Sequence, residues 1–120
     1  MTTLKRVLIV DESADSRDVL RTLLERRGAT TLEARRPEQA LVVADAFCPH
    51  LIVLDAESDH SACGAATNRL REAARRMDAP IVILGTVRDM GGGPSSGQFV
   101  PKPYQYGQLI RKIDDLLAAA

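Results

Sequence analysis

Tryptophan is absent from this sequence and aromatic residues make up only 3% of it, so any core must be built from Leu, Ile, Val and Ala. No charge of one sign dominates. Sixteen basic residues balance sixteen acidic ones, which removes the overall field that would hold the chain on a nucleic-acid backbone or an anionic membrane. The arginine pairs Arg26-Arg27, Arg35-Arg36 and Arg75-Arg76 then read as solvated ends of helices and strands. Long apolar runs are lacking too: the longest span about four residues, against the roughly 20 that cross a bilayer. Cysteine is scarce. Cys48 and Cys63 stand far apart without CxxC or Cys/His metal spacing, and no secretory apolar segment is recognisable, so both are expected to be free thiols of a cytoplasmic protein.

What is present alternates. Val7-Leu8-Ile9-Val10 is a short apolar run that meets acidic residues at once, as a buried parallel strand entering a turn does. Val19, Leu20, Leu23 and Leu24 follow at helical spacing, with Arg17, Asp18, Arg21, Glu25 and Arg26 on the other face and Gly28 as the stop. Residues 30–34 suit a weaker edge strand, and Pro37 sits where a first-turn proline belongs, ahead of Ala40, Leu41 and Ala44. Leu51-Ile52-Val53-Leu54 repeats the buried-strand signature and ends in Asp55, with a helical stripe of Ala66, Leu70, Ala73, Ala74 and Met77 behind it. Ile81 to Leu84 is a fourth strand, Phe99-Val100 a short fifth, and Leu109, Ile113, Leu116 and Leu117 mark a closing helix. Such alternation predicts an α/β fold, a parallel sheet covered on both faces, over a single domain spanning 1–120.

One segment interrupts the pattern. Residues 87–98 contain Gly91, Gly92, Gly93, Pro94 and Gly97 where another helix is due. Glycines at about 1 kcal/mol each and a proline at about 3 predict that this fourth helix is short or missing.

In open parallel sheets, ligands bind beyond the carboxyl ends of the strands. That rule gathers Asp11 and Glu12 after the first strand, Asp55 after the third, Gly85-Thr86 after the fourth and Lys102 after the fifth. Clustered carboxylates repel by about 4 kcal/mol per pair at 4 Å and an effective dielectric near 20, so a cation belongs to the design. Hard oxygen donors at an open site favour Mg²⁺. A carboxylate there can accept a phosphoryl group if the charge on the transferred oxygens is neutralised, a task suited to the metal, the Lys102 ammonium and the Thr86 hydroxyl. Singly, each residue has an ordinary reading as a turn former, cap or surface charge. Their order, each after its own strand, outweighs those readings.

This pattern resembles the receiver domains of response regulators, the CheY-like proteins, over nearly the whole chain. The resemblance rests on Val7-Leu8-Ile9-Val10-Asp11-Glu12, Leu51-Ile52-Val53-Leu54-Asp55, Gly85-Thr86 and Phe99-Val100-Pro101-Lys102-Pro103. It implies a doubly wound, flavodoxin-like five-stranded sheet in the order 2-1-3-4-5. It also implies Asp55 as phosphoacceptor, with Asp11, Glu12 and the backbone carbonyl of Glu57 joining it around Mg²⁺. Lys102 is then the phosphoryl contact, the Lys102-Pro103 peptide is cis, and Thr86 and Phe99 form the switch pair. The implied partners are a sensor histidine kinase or phosphotransfer protein and a downstream protein, in a two-component phosphorelay. No enzymatic turnover is expected beyond acceptance and loss of the phosphoryl group.

Departures from the family pattern give the expectations specific to this chain. Ser58-Asp59 stands where Met-Pro is frequent, and Gly64 comes one place late, predicting a reshaped loop after Asp55. Val87 replaces a small residue after Thr86 and narrows the site, and Arg88 is placed to face Glu57 across its entrance. A pseudo-receiver, an interaction module independent of phosphate, is the competing reading. Aspartyl phosphatases want an Asp where Glu57 stands, Gly92 and Gly97 lack the P-loop lysine, and the order around Asp59-His60 does not suit cobalamin, leaving His60 as a surface loop residue.

Overall fold

The computed structural model describes residues 5–86 and 97–119. Strands β1 (Arg6–Val10), β2 (Thr30–Ala34), β3 (Leu51–Asp55), β4 (Ile81–Gly85) and β5 (Gly97–Pro101) form one parallel sheet in the order β2-β1-β3-β4-β5. This is the doubly wound order that the resemblance implies. Among the described residues the helices are α1 (Ala14–Arg26), α2 (Pro37–Phe47), α3 (Ala65–Arg76) and α4 (Tyr106–Ala118).

Side chains alternate across a strand, and here each face meets its own helices. Val7 and Ile9 of β1 join Leu51 and Val53 of β3 against Leu20 and Leu24 of α1 and Leu109 and Ile113 of α4. Leu8 and Val10 join Ile52 and Leu54 against Ala40 and Ala44 of α2 and Leu70 and Ala74 of α3. Both faces being covered explains why β1 and β3 read as unbroken apolar runs rather than alternating ones. Edge strand β2 buries only Ala34, which is why its sequence signal is weak.

Local chemistry sets the boundaries. Ser13 caps α1, its hydroxyl accepting the Ser16 amide at 3.2 Å, and the helix closes at Arg27 before Gly28 turns at φ +88°. Pro37 opens α2 as expected, and Cys48 ends it in the left-handed region. The Arg6 guanidinium then donates to the carbonyls of Phe47 and Cys48, both at 2.9 Å. Cys48 and Cys63 are free and exposed.

The loop from β3 to α3, where the sequence departs from the family pattern, contains two 3-10 turns, Ala56–Ser58 and Ala62–Gly64, and the second carries Cys63 at φ +53°. The expected short or missing helix before β5 falls on residues 87–96, which lie outside the described residues. Among the described residues no helix is long and apolar enough to cross a membrane.

Candidate phosphoacceptor site

Parallel strands present their carboxyl ends along one edge, and the register sets which residues meet there. Val10 pairs with Leu54, so Asp11 leaves β1 beside Asp55 at the end of β3. Gly85 pairs with Pro101, and the Lys102 amide donates to the Gly85 carbonyl at 2.8 Å, which starts the lysine on its way back over β3. Its ammonium donates to Asp55 Oδ1 at 2.8 Å and to Glu57 Oε1 at 3.2 Å. The Lys102-Pro103 peptide is cis.

Asp55 is held at three points. Oδ1 also accepts the Glu57 amide at 3.0 Å, while the Ser58 hydroxyl donates to the Asp55 carbonyl at 2.6 Å. Asp11, only 5% exposed, accepts the Ser13 amide at 2.9 Å. These residues, with Glu12 and Glu57, line an open hollow of about 390 Å³.

The electrostatics are those of an anion-rich site into which Lys102 brings a positive charge. Burial pushes the Asp11 carboxyl above its usual value and the charge of Asp55 adds to this, against the Ser13 hydrogen bond and Lys102, which pull it down. Burial pulls the Lys102 ammonium down, but its contacts with Asp55 and Glu57 outweigh that and hold its pKa above the usual lysine value. A buried carboxylate whose ionisation is disfavoured by its neighbour is an environment that a divalent cation relieves.

Glu12 is turned elsewhere. Its Oε2 is 2.9 Å from His60 Nε2 and 3.5 Å from Arg36 Nη2, and the His60 hydrogen bond is the main reason its carboxyl titrates below the usual range. The acidic pair is thus split, Asp11 inward and Glu12 across the rim. Among the described residues no group of three His, Cys, Asp or Glu side chains is arranged to hold a metal. Two inward carboxylates are nevertheless hard oxygen donors of the kind that suit Mg²⁺, which keeps several waters and takes few protein ligands.

Thr86 is exposed just past β4, and Phe99 is half-buried in β5 beside Ile83, packed against the α2/α3 side of the sheet. Val87 and Arg88 lie outside the described residues. The partner that Glu57 does show is Lys102.

Sequence reasoning missed two participants. His60 is the exposed loop residue that the sequence predicts and in addition bridges to Glu12, and Arg17 reaches back from α1 to the carbonyl of Asp11 at 2.7 Å. Neither carries a motif signal, since both contacts depend on how far a side chain reaches toward the loop after β1.

No family model matches the chain. Over 118 residues it is 27% identical to the phosphate regulon transcriptional regulatory protein PhoB of Pseudomonas aeruginosa, covering 94% of this chain and 52% of that protein. It therefore spans about half the length of this relative, and likewise of the probable transcriptional regulator ycf27 of Cyanophora paradoxa, at 48%. Among solved structures, the receiver domain of the hybrid histidine kinase CckA superimposes with a TM-score of 0.71 at 27% identity, over 93% of this chain and 98% of that one. The chemotaxis response regulator CheY4 of Vibrio cholerae gives a TM-score of 0.78 at 20% identity, over 95% and 99%, a likeness of fold. The sheet order is that of the CheY-like receiver fold, and the relatives that the chain resembles in sequence are response regulators and a receiver domain.

Proposed function

We propose that Asp55 accepts a phosphoryl group, in the presence of Mg²⁺, from a histidine kinase or phosphotransfer protein of a two-component system. The observation that carries this reading is the Lys102 ammonium 2.8 Å from Asp55 Oδ1, beside buried Asp11. Asp55 Oδ1 is taken up by Lys102 and the Glu57 amide, which leaves Oδ2 to attack phosphorus. As the new O–P bond forms, the bond from phosphorus to the donor imidazole nitrogen breaks, and that nitrogen keeps the electron pair.

Lys102 then neutralises one of the transferred oxygens, and the Thr86 hydroxyl is the candidate donor to another. Asp11, with Asp55 and the Glu57 carbonyl, would hold Mg²⁺, which when bound would offset charge at the remaining transferred oxygen. Acceptance and later hydrolysis are the extent of the chemistry. Phe99, one strand from Thr86, is the candidate ring for relaying the hydroxyl's movement.

Acetyl phosphate or beryllofluoride, each with Mg²⁺, tests the reading on wild type and Asp55→Asn. The expected result is a phosphoryl adduct by intact mass and loop shifts by NMR in wild type alone. A wild type inert to both reagents would leave a phosphate-independent interaction module as the surviving reading.

A further inference from the structure

The β1–α1 loop carries both acidic residues, and one side chain outside it reaches back to two of its carbonyls. Arg17 sits one turn into α1, and its side chain is only 16% exposed. Nη1 donates to the Asp11 carbonyl at 2.7 Å and more loosely to the Glu12 carbonyl at 3.4 Å, while Nε donates to Glu33 Oε1 of β2 at 3.0 Å. Arg21, one turn further on, approaches the other oxygen of Glu33 at 3.7 Å. The two carbonyls precede Ser13, whose carbonyl takes the first helical bond from the Arg17 amide at 3.1 Å, so α1 itself supplies them no donor.

We propose that Arg17, braced by Glu33, is a positioning residue that sets how Asp11 is presented to a divalent cation; the proposal rests on the metal-assisted reading of the site. A guanidinium suits the task because its fork holds fixed directions, one to the loop and one to the neighbouring strand. An ammonium offers a single nitrogen and can serve one of them well. Groups that orient a metal's ligands from behind typically matter by 10–100-fold in affinity.

The sign of the effect separates positioning from charge. Arg17 is a cation near a cation site, so by Coulomb's law alone its removal would tighten Mg²⁺ binding. Positioning demands the opposite, because the loop that it releases must be re-ordered each time the ion binds.

The test is Mg²⁺ affinity from NMR titration of the Asp11 to Ser13 and Asp55 amides, for wild type, Arg17→Ala, Arg17→Lys and Glu33→Gln. Arg17→Ala is expected to bind roughly tenfold or more weakly, with Arg17→Lys intermediate despite its retained charge and Glu33→Gln weakened least. Equal or tighter binding in Arg17→Ala overturns the proposal. Should that variant not fold, equal binding in Arg17→Lys does so. A wild type with no saturable Mg²⁺ response overturns the metal-assisted reading itself, and this proposal with it, whereas a responsive wild type with an indifferent Arg17 overturns only the latter.

Discussion

Lys102 divides its ammonium between two carboxylates, and the second contact, to Glu57 at 3.2 Å, competes with an arriving phosphoryl group. Glu57 is well exposed, so the pairing is worth about 0 to 1 kcal/mol, and its charge also repels an anionic donor. Glu57→Gln should therefore raise the rate of labelling by acetyl phosphate by up to about fivefold, measured by intact mass over time; an unchanged or slower rate would remove Glu57 from the entrance. Asp55 and Lys102 were legible in the sequence because each terminates its own apolar strand. Arg17 and His60 were not, since nothing in the string records that an arginine one turn into a helix folds back over the loop before it, or that a loop histidine reaches a glutamate 48 positions away.

At the level of elements, the loop after Asp55 is laced by one carboxylate. Asp59 accepts the amides of Ser61 at 2.8 Å and Thr67 at 2.9 Å, and both hydroxyls as well, which ties the second 3-10 turn to the first turns of α3. Burial pushes its carboxyl up, but the Ser61 and Thr67 bonds outweigh this and hold it below the usual range. Asp59→Ala should cost about 2 kcal/mol in urea denaturation, with Asp59→Asn milder because one acceptor oxygen remains. The Asp59 contribution is present above the unfolded value near 3.8 and is lost as pH falls through the lower folded value. The sequence shows that this loop departs from the family pattern, but not how, because four hydrogen bonds converging on one side chain have no periodicity. Strand β5 was likewise legible only as Phe99-Val100. Its full length, Gly97–Pro101, comes from pairing with Ile81 to Gly85, and Gly97, Gln98 and Pro101 give no strand signal of their own.

A second prediction at this scale concerns the start of β1. The Arg6 amide donates to His50 Nδ1 at 2.9 Å, which requires a lone pair there and places the proton on Nε2. Burial, then the charges of Arg6 and Lys5, hold the His50 pKa below its ordinary value. The unfolded chain takes up this proton at higher pH than the folded one, so the stability it contributes is complete above about pH 6.5 and drains as pH falls below that. Thermal melts at about pH 7.5 and 5.5 should show a larger drop for wild type than for His50→Asn, whose amide oxygen replaces the acceptor without titrating; parallel curves would refute the assignment.

Across the whole molecule, the alternation of strand and helix was legible because both faces of the sheet are covered and the apolar runs are short, and this alone places Asp11, Glu12, Asp55, Thr86 and Lys102 at one edge. That placement sets stability against function. Asp11 is buried next to Asp55 with its ionisation disfavoured, so at neutral pH the charge that suits a metal also weakens the fold. Removing it should separate the two effects. In EDTA, Asp11→Asn should melt a few degrees above wild type, because the amide keeps an oxygen for the Ser13 hydrogen bond and ends the repulsion. With Mg²⁺ at about one hundred times its dissociation constant, wild type should gain about 2.7 kcal/mol, on the order of 10 °C for a domain of this size, while Asp11→Asn gains little. The order of the two melting temperatures thus reverses when the ion is added. If Asp11→Asn melts below wild type in EDTA, the buried carboxylate is not a strained group awaiting a cation; if Mg²⁺ raises both proteins equally, the ion binds at another place.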